Sequence, residues 1–122
     1  MTGGMQRVSE YLRHAIDACE RIDEYTRGHT LAGFLENRMI QDAVLRNFEV
    51  LGEAVVQLRD EDPVLLGRFP QVAWKETIGF RNRLIHGYAN IDFAVVWQTI
   101  QADLPALREQ LQAIAVQLAP KD

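Results

Sequence analysis

Between residues 81 and 88 the chain reads Arg81-Asn82-Arg83-Leu84-Ile85-His86-Gly87-Tyr88, which gathers a guanidinium, a carboxamide, an imidazole and a phenol in one short run. A guanidinium grips phosphate through paired N–H donors, and an imidazole exchanges protons near neutral pH. A carboxamide both donates and accepts, and a phenolic hydroxyl is open to modification. The chemistry such a set serves is acid–base attack on a phosphodiester, with a group at its edge through which the reaction could be switched off. Nothing else in the sequence concentrates so much chemistry.

The run must be positioned by a helix. At 100° per residue Trp74, Ile78, Arg81, Ile85 and Tyr88 fall within about 80° of one another, so Arg81 sits in the middle of an apolar stripe. A charge placed there is either functional or paired, and Glu49 and Glu53 on the preceding helix are the carboxylates in reach of the second reading. Asn82 and His86 are one turn apart on a common face, whereas Arg81 points about 140° away from His86 on a straight helix. Either the long arginine bends round, or a second copy of the chain completes the site; the sequence favours a two-fold homodimer whose cleft carries two arginines and two histidines. His86 falls in the last turn, where the helix dipole favours the imidazolium, so it is either a general acid or a simple cap. Tyr88 is either the modifiable hydroxyl or a packing aromatic. Arg83, with Lys75 and Arg68, makes a modest basic rim for an anionic substrate, or merely a solvated face.

Apolar spacings of three and four run through the whole chain. Val8, Tyr11, Leu12, Ala15, Cys19 and Ile22 predict a first helix over roughly residues 5–27, closed by Gly28, and Thr30 can cap a short turn through Leu35. Asn37 is the expected cap of a second helix carrying Ile40, Val44, Phe48, Leu51, Val55 and Leu58 and ending near Arg59-Asp60. Pro63 and Pro70 bracket a connection. A third helix begins at or shortly after Pro70 and stops at Gly87. Asp92 can cap a last helix striped by Phe93, Trp97, Ile100, Leu104, Leu107, Leu111, Ile114 and Leu118, with Pro105 expected to kink it near Gln101 rather than split it. The fold expected is all-α, an antiparallel four- to five-helix up-and-down bundle with a kinked last helix, formed as one domain over residues 1–122.

Composition sets the remaining bounds. A chain of 122 residues, 48% hydrophobic and 25% charged, fits one globular domain. Its net charge of −4 and pI of about 5.3 argue against a protein that coats nucleic acid non-specifically, but leave room for a nuclease with a local basic site. Cys19 is the single cysteine and falls within an apolar helical pattern, as a small core residue would. His14, His29 and His86 are far apart, and no Asp/Glu cluster lies within the motif, so no metal site is expected. No segment has the character of a signal peptide or a membrane span, and a cytoplasmic location is the expectation.

The full run, with its flanks, resembles the HepT-like branch of the HEPN-domain ribonucleases. That family's motif is an arginine, four residues, a histidine, one residue and a tyrosine, matched by Arg81, His86 and Tyr88, with Asn82 matching directly after the arginine. Leu51-Gly52-Glu53-Ala54, the approach from Pro70 to Trp74, and Asn90-Ile91-Asp92 are similar to this branch too. The resemblance implies the toxin of a type VII toxin–antitoxin pair, a metal-independent ribonuclease acting in several members on tRNA. It implies as partner a minimal nucleotidyltransferase antitoxin, MntA-like, that transfers AMP from ATP to Tyr88; the ribonuclease itself needs no cofactor. In that role Arg81 would hold the scissile phosphate and His86 would move a proton for attack by the RNA 2′-OH, giving a 2′,3′-cyclic phosphate. Asn82 would orient phosphate or ribose. Two other classes stay open: a non-catalytic module binding nucleotides or a partner in the same cleft, and a helical adaptor that assembles through the stripe of the last helix.

Overall fold

A computed structural model describes residues 2–120; the side chains of Thr2 and Tyr88 lie outside that description. The elements are α1 (Thr2–Thr26), α2 (Leu31–Leu35), α3 (Arg38–Glu61), α4 (Pro63–Arg68), α5 (Trp74–His86), a 3-10 turn (Tyr88–Asn90), α6 (Phe93–Ala102) and α7 (Leu104–Leu118). Among the described residues there is no strand, and the protein is all-α.

The helix starts are set by side chains that satisfy otherwise orphaned backbone donors. Thr30 Oγ1 accepts from the Gly33 amide, Asn37 Oδ1 from Ile40, Asp62 Oδ1 from Leu65, and Asp92 Oδ1 from Ala94 and Val95. Gly28, at φ 82°, makes the left-handed turn that takes the chain out of α1. Helix α2 has only five residues and is held from outside: Gln41 Nε2 donates to the carbonyls of Phe34 and Leu35.

Helices α1 and α3 lie antiparallel, tied at one end by Arg7 to Glu61 at 2.7 Å. Helix α7 runs antiparallel to α1, with Arg108 3.8 Å from Asp23 and Gln112 donating to Glu20. Between them a single cluster of buried side chains, including Leu12, Ile22, Val44, Leu51, Leu58 and Leu111, forms the core. Helix α6 joins it through α2, where Phe34 meets Phe93 at 6.0 Å and Trp97 at 5.3 Å between ring centroids.

The stripe expected for the last helix is present, with Ile100, Leu104, Leu111 and Ile114 buried and Phe93, Trp97, Leu107 and Leu118 packed at its margin. The single kinked helix is not. Helix α6 ends at Ala102, and α7 restarts at Leu104 with Pro105 in its first turn. A continuous helix would drive the Pro105 ring against the Gln101 carbonyl, whereas in the first turn of a new helix its missing N–H has no bond to lose. The long helices therefore form the expected bundle, and α2 and α4 are short additions within the connections.

Candidate active site

Helix α5 is fixed from its first turn. Trp74 is buried, and its Nε1 donates to the carbonyls of Leu66 at 3.1 Å and Phe69 at 3.0 Å, which locks α5 to the end of α4. Further along, Phe80 packs edge-on against Phe48 of α3 at 4.9 Å, and Leu84 is buried. The packed face is thus turned toward Phe80 and Leu84 relative to the stripe expected from the sequence. Ile85, expected inside it, is 36% exposed.

The close approach that sets this rotation is between Arg81 and Gly52. A Cβ at residue 52 would collide with Cβ and Cγ of Arg81 and stand 3.2 Å from its Cδ, so only glycine lets the arginine stem lie on α3. From there the guanidinium reaches outward. Its Nη2 donates to Glu53 Oε2 at 2.7 Å and its Nη1 to Asn82 Oδ1 at 2.9 Å, while Nε is buried without a partner among the described residues. The pairing reading of Arg81 is correct as to Glu53; Glu49 instead stands 3.8 Å from Arg46. With its side chain 24% exposed and that of Glu53 48% exposed, the pair sits at the protein surface, not in the core.

Asn82, which accepts from the arginine, is exposed, and His86 is also exposed one turn further on. Lys75 shares this exposed strip, just under two helical turns before Asn82 and with the side-chain-free Gly79 between. Arg83 is exposed beside it, with its guanidinium carbon 5.5 Å from the Phe80 ring centroid. Arg68 is drawn instead over Phe69, at 5.6 Å. The backbone of Tyr88 opens the 3-10 turn directly after Gly87, whose N–H donates to the Arg83 carbonyl. The tyrosine's side chain lies outside the described residues. Gly87 does end the helix, but at φ −115°, not in the left-handed region.

Two depressions flank this ridge. A groove of about 300 Å³ on one side is lined by Arg81 and Ile85 of α5, His14 of α1 and Arg46, Glu49 and Glu53 of α3. His86 does not line it, so the arginine and the histidine present themselves to different sides of the same helix. A larger cavity of about 410 Å³ opens on the other flank, where Phe80 and Arg83 face the junction of α6 and α7. Sequence reasoning missed this cavity, because it exists only where α6 ends and α7 restarts. Among the described residues no group of three or more histidine, cysteine or carboxylate side chains is placed to hold a metal ion. Cys19 is buried away from the site, and burial pushes its thiol up to about 12.

A family model described as ribonuclease HepT-like matches residues 15–114. A protein of Thermococcus cleftensis named "Probable ribonuclease HepT" is 32% identical over 86% of this chain and 93% of its own length. A "Putative RNase" of Caldanaerobacter subterraneus is 32% identical over 90% of this chain and 96% of its own. A Methanocaldococcus jannaschii protein whose name joins gamma-glutamylcyclotransferase to RNase is 33% identical over 91% of this chain, which spans 49% of that relative's length. No solved structure matches.

Proposed function

The chain belongs to the HepT-like ribonuclease family, and from that premise we propose that it is a metal-independent endoribonuclease, the toxin of a type VII toxin–antitoxin pair, acting on tRNA. The observation that carries the reading is the placement of Arg81: a guanidinium rooted on Gly52 and held at the surface between Glu53 and Asn82, lining a groove that His86 does not share. Only two of its five N–H donors are engaged by these partners, which leaves donors for a phosphate.

In the proposed reaction the RNA 2′-oxygen attacks the adjacent phosphorus and loses its proton to an imidazole. The bond from phosphorus to the 5′-oxygen breaks, and that oxygen takes up a proton, leaving a 2′,3′-cyclic phosphate and a 5′-hydroxyl. His86 moves the protons. Arg81 stabilises the charge on the pentacoordinate transition state, and Asn82 orients phosphate or ribose. Because His86 and the Arg81 groove lie on different flanks of α5, the active species is a homodimer in which each copy supplies its histidine near the other's arginine. Lys75 and Arg83 flank the exposed strip and hold the anionic strand.

Control comes from a minimal nucleotidyltransferase of the MntA type: the Tyr88 oxygen attacks the α-phosphorus of ATP and gives up its proton, pyrophosphate leaves, and AMP is held on the tyrosine. The added phosphate occupies the anion site and repels RNA. Induction of the wild-type chain should arrest growth, and Asn82→Ala and His86→Ala should relieve the arrest. Incubation with the antitoxin and ATP should add the mass of one AMP, and addition that persists in Tyr88→Phe overturns the assignment of the tyrosine.

The Arg81–Glu53 pair also favours a second reading, in which the arginine serves assembly of the bundle alone. That reading requires Arg81→Ala to unfold the protein. The nuclease reading requires it to abolish cleavage in a protein that remains folded.

A further inference from the structure

The cavity between α5 and the α6–α7 junction has no part in the chemistry assigned to Arg81 and His86, yet its lining is specific. Phe48, Leu51, Phe80 and Leu107 form the apolar part of its walls, Gln110, donating to the Gln71 carbonyl, adds a polar edge, and its volume of about 410 Å³ lies in the range of small-ligand sites. Three charged side chains stand at it: Arg83, Glu76 and Asp103. Among the described residues none of the three is in an ion pair. Asp103 in particular occupies the cap position of α7 without making a side-chain capping bond, so its exposed carboxylate is free to accept from a ligand.

Position connects this cavity to the proposed reaction. Arg83 follows Asn82 and precedes His86 by three residues, so it stands on α5 between the exposed strip and the cavity that it lines. A strand whose phosphate lies at Asn82 and His86 would place the next phosphate at Arg83 and its base over the cavity. An aromatic wall, and a cation and acceptor-only carboxylates at the exposed rim, match a nucleobase that carries hydrogen-bond donors.

We propose that this cavity is a base-recognition subsite for the nucleotide beside the cleaved phosphate, in which the base packs on Phe80, Arg83 holds the adjoining phosphate, and Glu76 and Asp103 accept from an exocyclic amine. The inference rests on the ribonuclease reading for its place in catalysis. Guanine, adenine and cytosine carry an exocyclic amine, while uracil has none and offers only an N3–H set between two carbonyl oxygens that the carboxylates repel. The subsite therefore selects against uracil.

The test uses the four ribonucleoside 5′-monophosphates as probes of the full-length His86→Ala protein, followed through backbone amide shifts, together with cleavage by the wild type of oligonucleotides that differ only in the base beside the cut. Binding should shift the amides of Thr99, Ala102 and Leu107, with GMP, AMP and CMP about tenfold tighter than UMP, and cleavage should follow the same order. Glu76→Gln with Asp103→Asn, both at exposed positions, should leave the fold intact and remove the discrimination. Equal binding of all four, shifts confined to other surfaces, or discrimination that survives the double substitution overturns the subsite. His86-dependent cleavage without cavity shifts would sink the subsite and leave the nuclease standing. Cavity shifts with the expected preference in a protein that cleaves nothing would retain a nucleotide site and sink the nuclease.

Discussion

Replacing Gly52 by alanine tests how Arg81 is held. On helix propensity alone the substitution in the middle of α3 should stabilise the protein by about 0.5–1 kcal/mol. The structure reverses that sign. The new Cβ would overlap Cβ and Cγ of Arg81, which are the rooted end of the side chain and cannot swing away, and it would sit 3.2 Å from Cδ. Restoring carbon contacts of about 3.5–4 Å forces α3 and α5 apart by roughly 1 Å. Overpacking of this kind costs about 1–3 kcal/mol, and the parting also loosens the edge contact of Phe80 with Phe48. The net expectation is a loss of about 0.5–2 kcal/mol, a fall in Tm of several degrees for a chain of this size.

The assay is thermal unfolding at one fixed protein concentration, since any self-association makes Tm concentration-dependent. It is run as a double-mutant cycle with Arg81→Gly, which deletes both colliding carbons. In that background Gly52→Ala should recover its propensity gain and raise Tm. An unchanged or higher Tm in the wild-type background, or the same penalty in both, refutes the packing argument and with it the account of why Arg81 points where it does.

Glu53→Gln keeps an oxygen for Arg81 Nη2 but removes the charge that competes with phosphate; it should lower KM for RNA up to about fivefold with little change in Tm, because the pair is partly exposed. A KM that rises would place Glu53 on the side of binding and not of competition. Trp74→Phe strips the donor shared by the Leu66 and Phe69 carbonyls and should cost about 1–2 kcal/mol in thermal unfolding. Cys19 should resist alkylation of the native protein at pH 8 and react on unfolding. Because burial raises its folded pKa to about 12, the stability it contributes is fully present below the unfolded thiol's roughly 8.5 and is lost as pH rises toward the folded value. Denaturant titrations that show no decline above pH 9 would contradict this.

How much was legible in the sequence differs by scale. The caps at Thr30, Asn37 and Asp92 were readable because a short polar side chain before an apolar periodic run has one physical use. The core of α1 and α3 was readable for the same reason: their spacing leaves one face to bury. Pro105 reads as a kink, because periodicity carries straight through it; the competing fact, that a chain loses less by restarting a helix than by bending one, is not a pattern of residue types. Glu53 was one of two candidates for Arg81, and only the glycine next to it, under the arginine stem, decides between them. The outward turn of Ile85 and the cavity at Asp103 depend on how helices meet, and no spacing within one helix encodes that.

The central claim is that Asn82, Arg81 and His86 cut RNA by internal attack of the 2′-hydroxyl. The most direct measurement is the chemistry of the cut ends left on tRNA by purified protein in the presence of a metal chelator. The account predicts fragments ending in a 2′,3′-cyclic phosphate with a 5′-hydroxyl on the other side, produced by the wild type and lost in His86→Ala while the variant's unfolding transition stays in place. Cleavage undiminished in His86→Ala, 3′-hydroxyl ends, or no cleavage by the folded wild-type protein would contradict it.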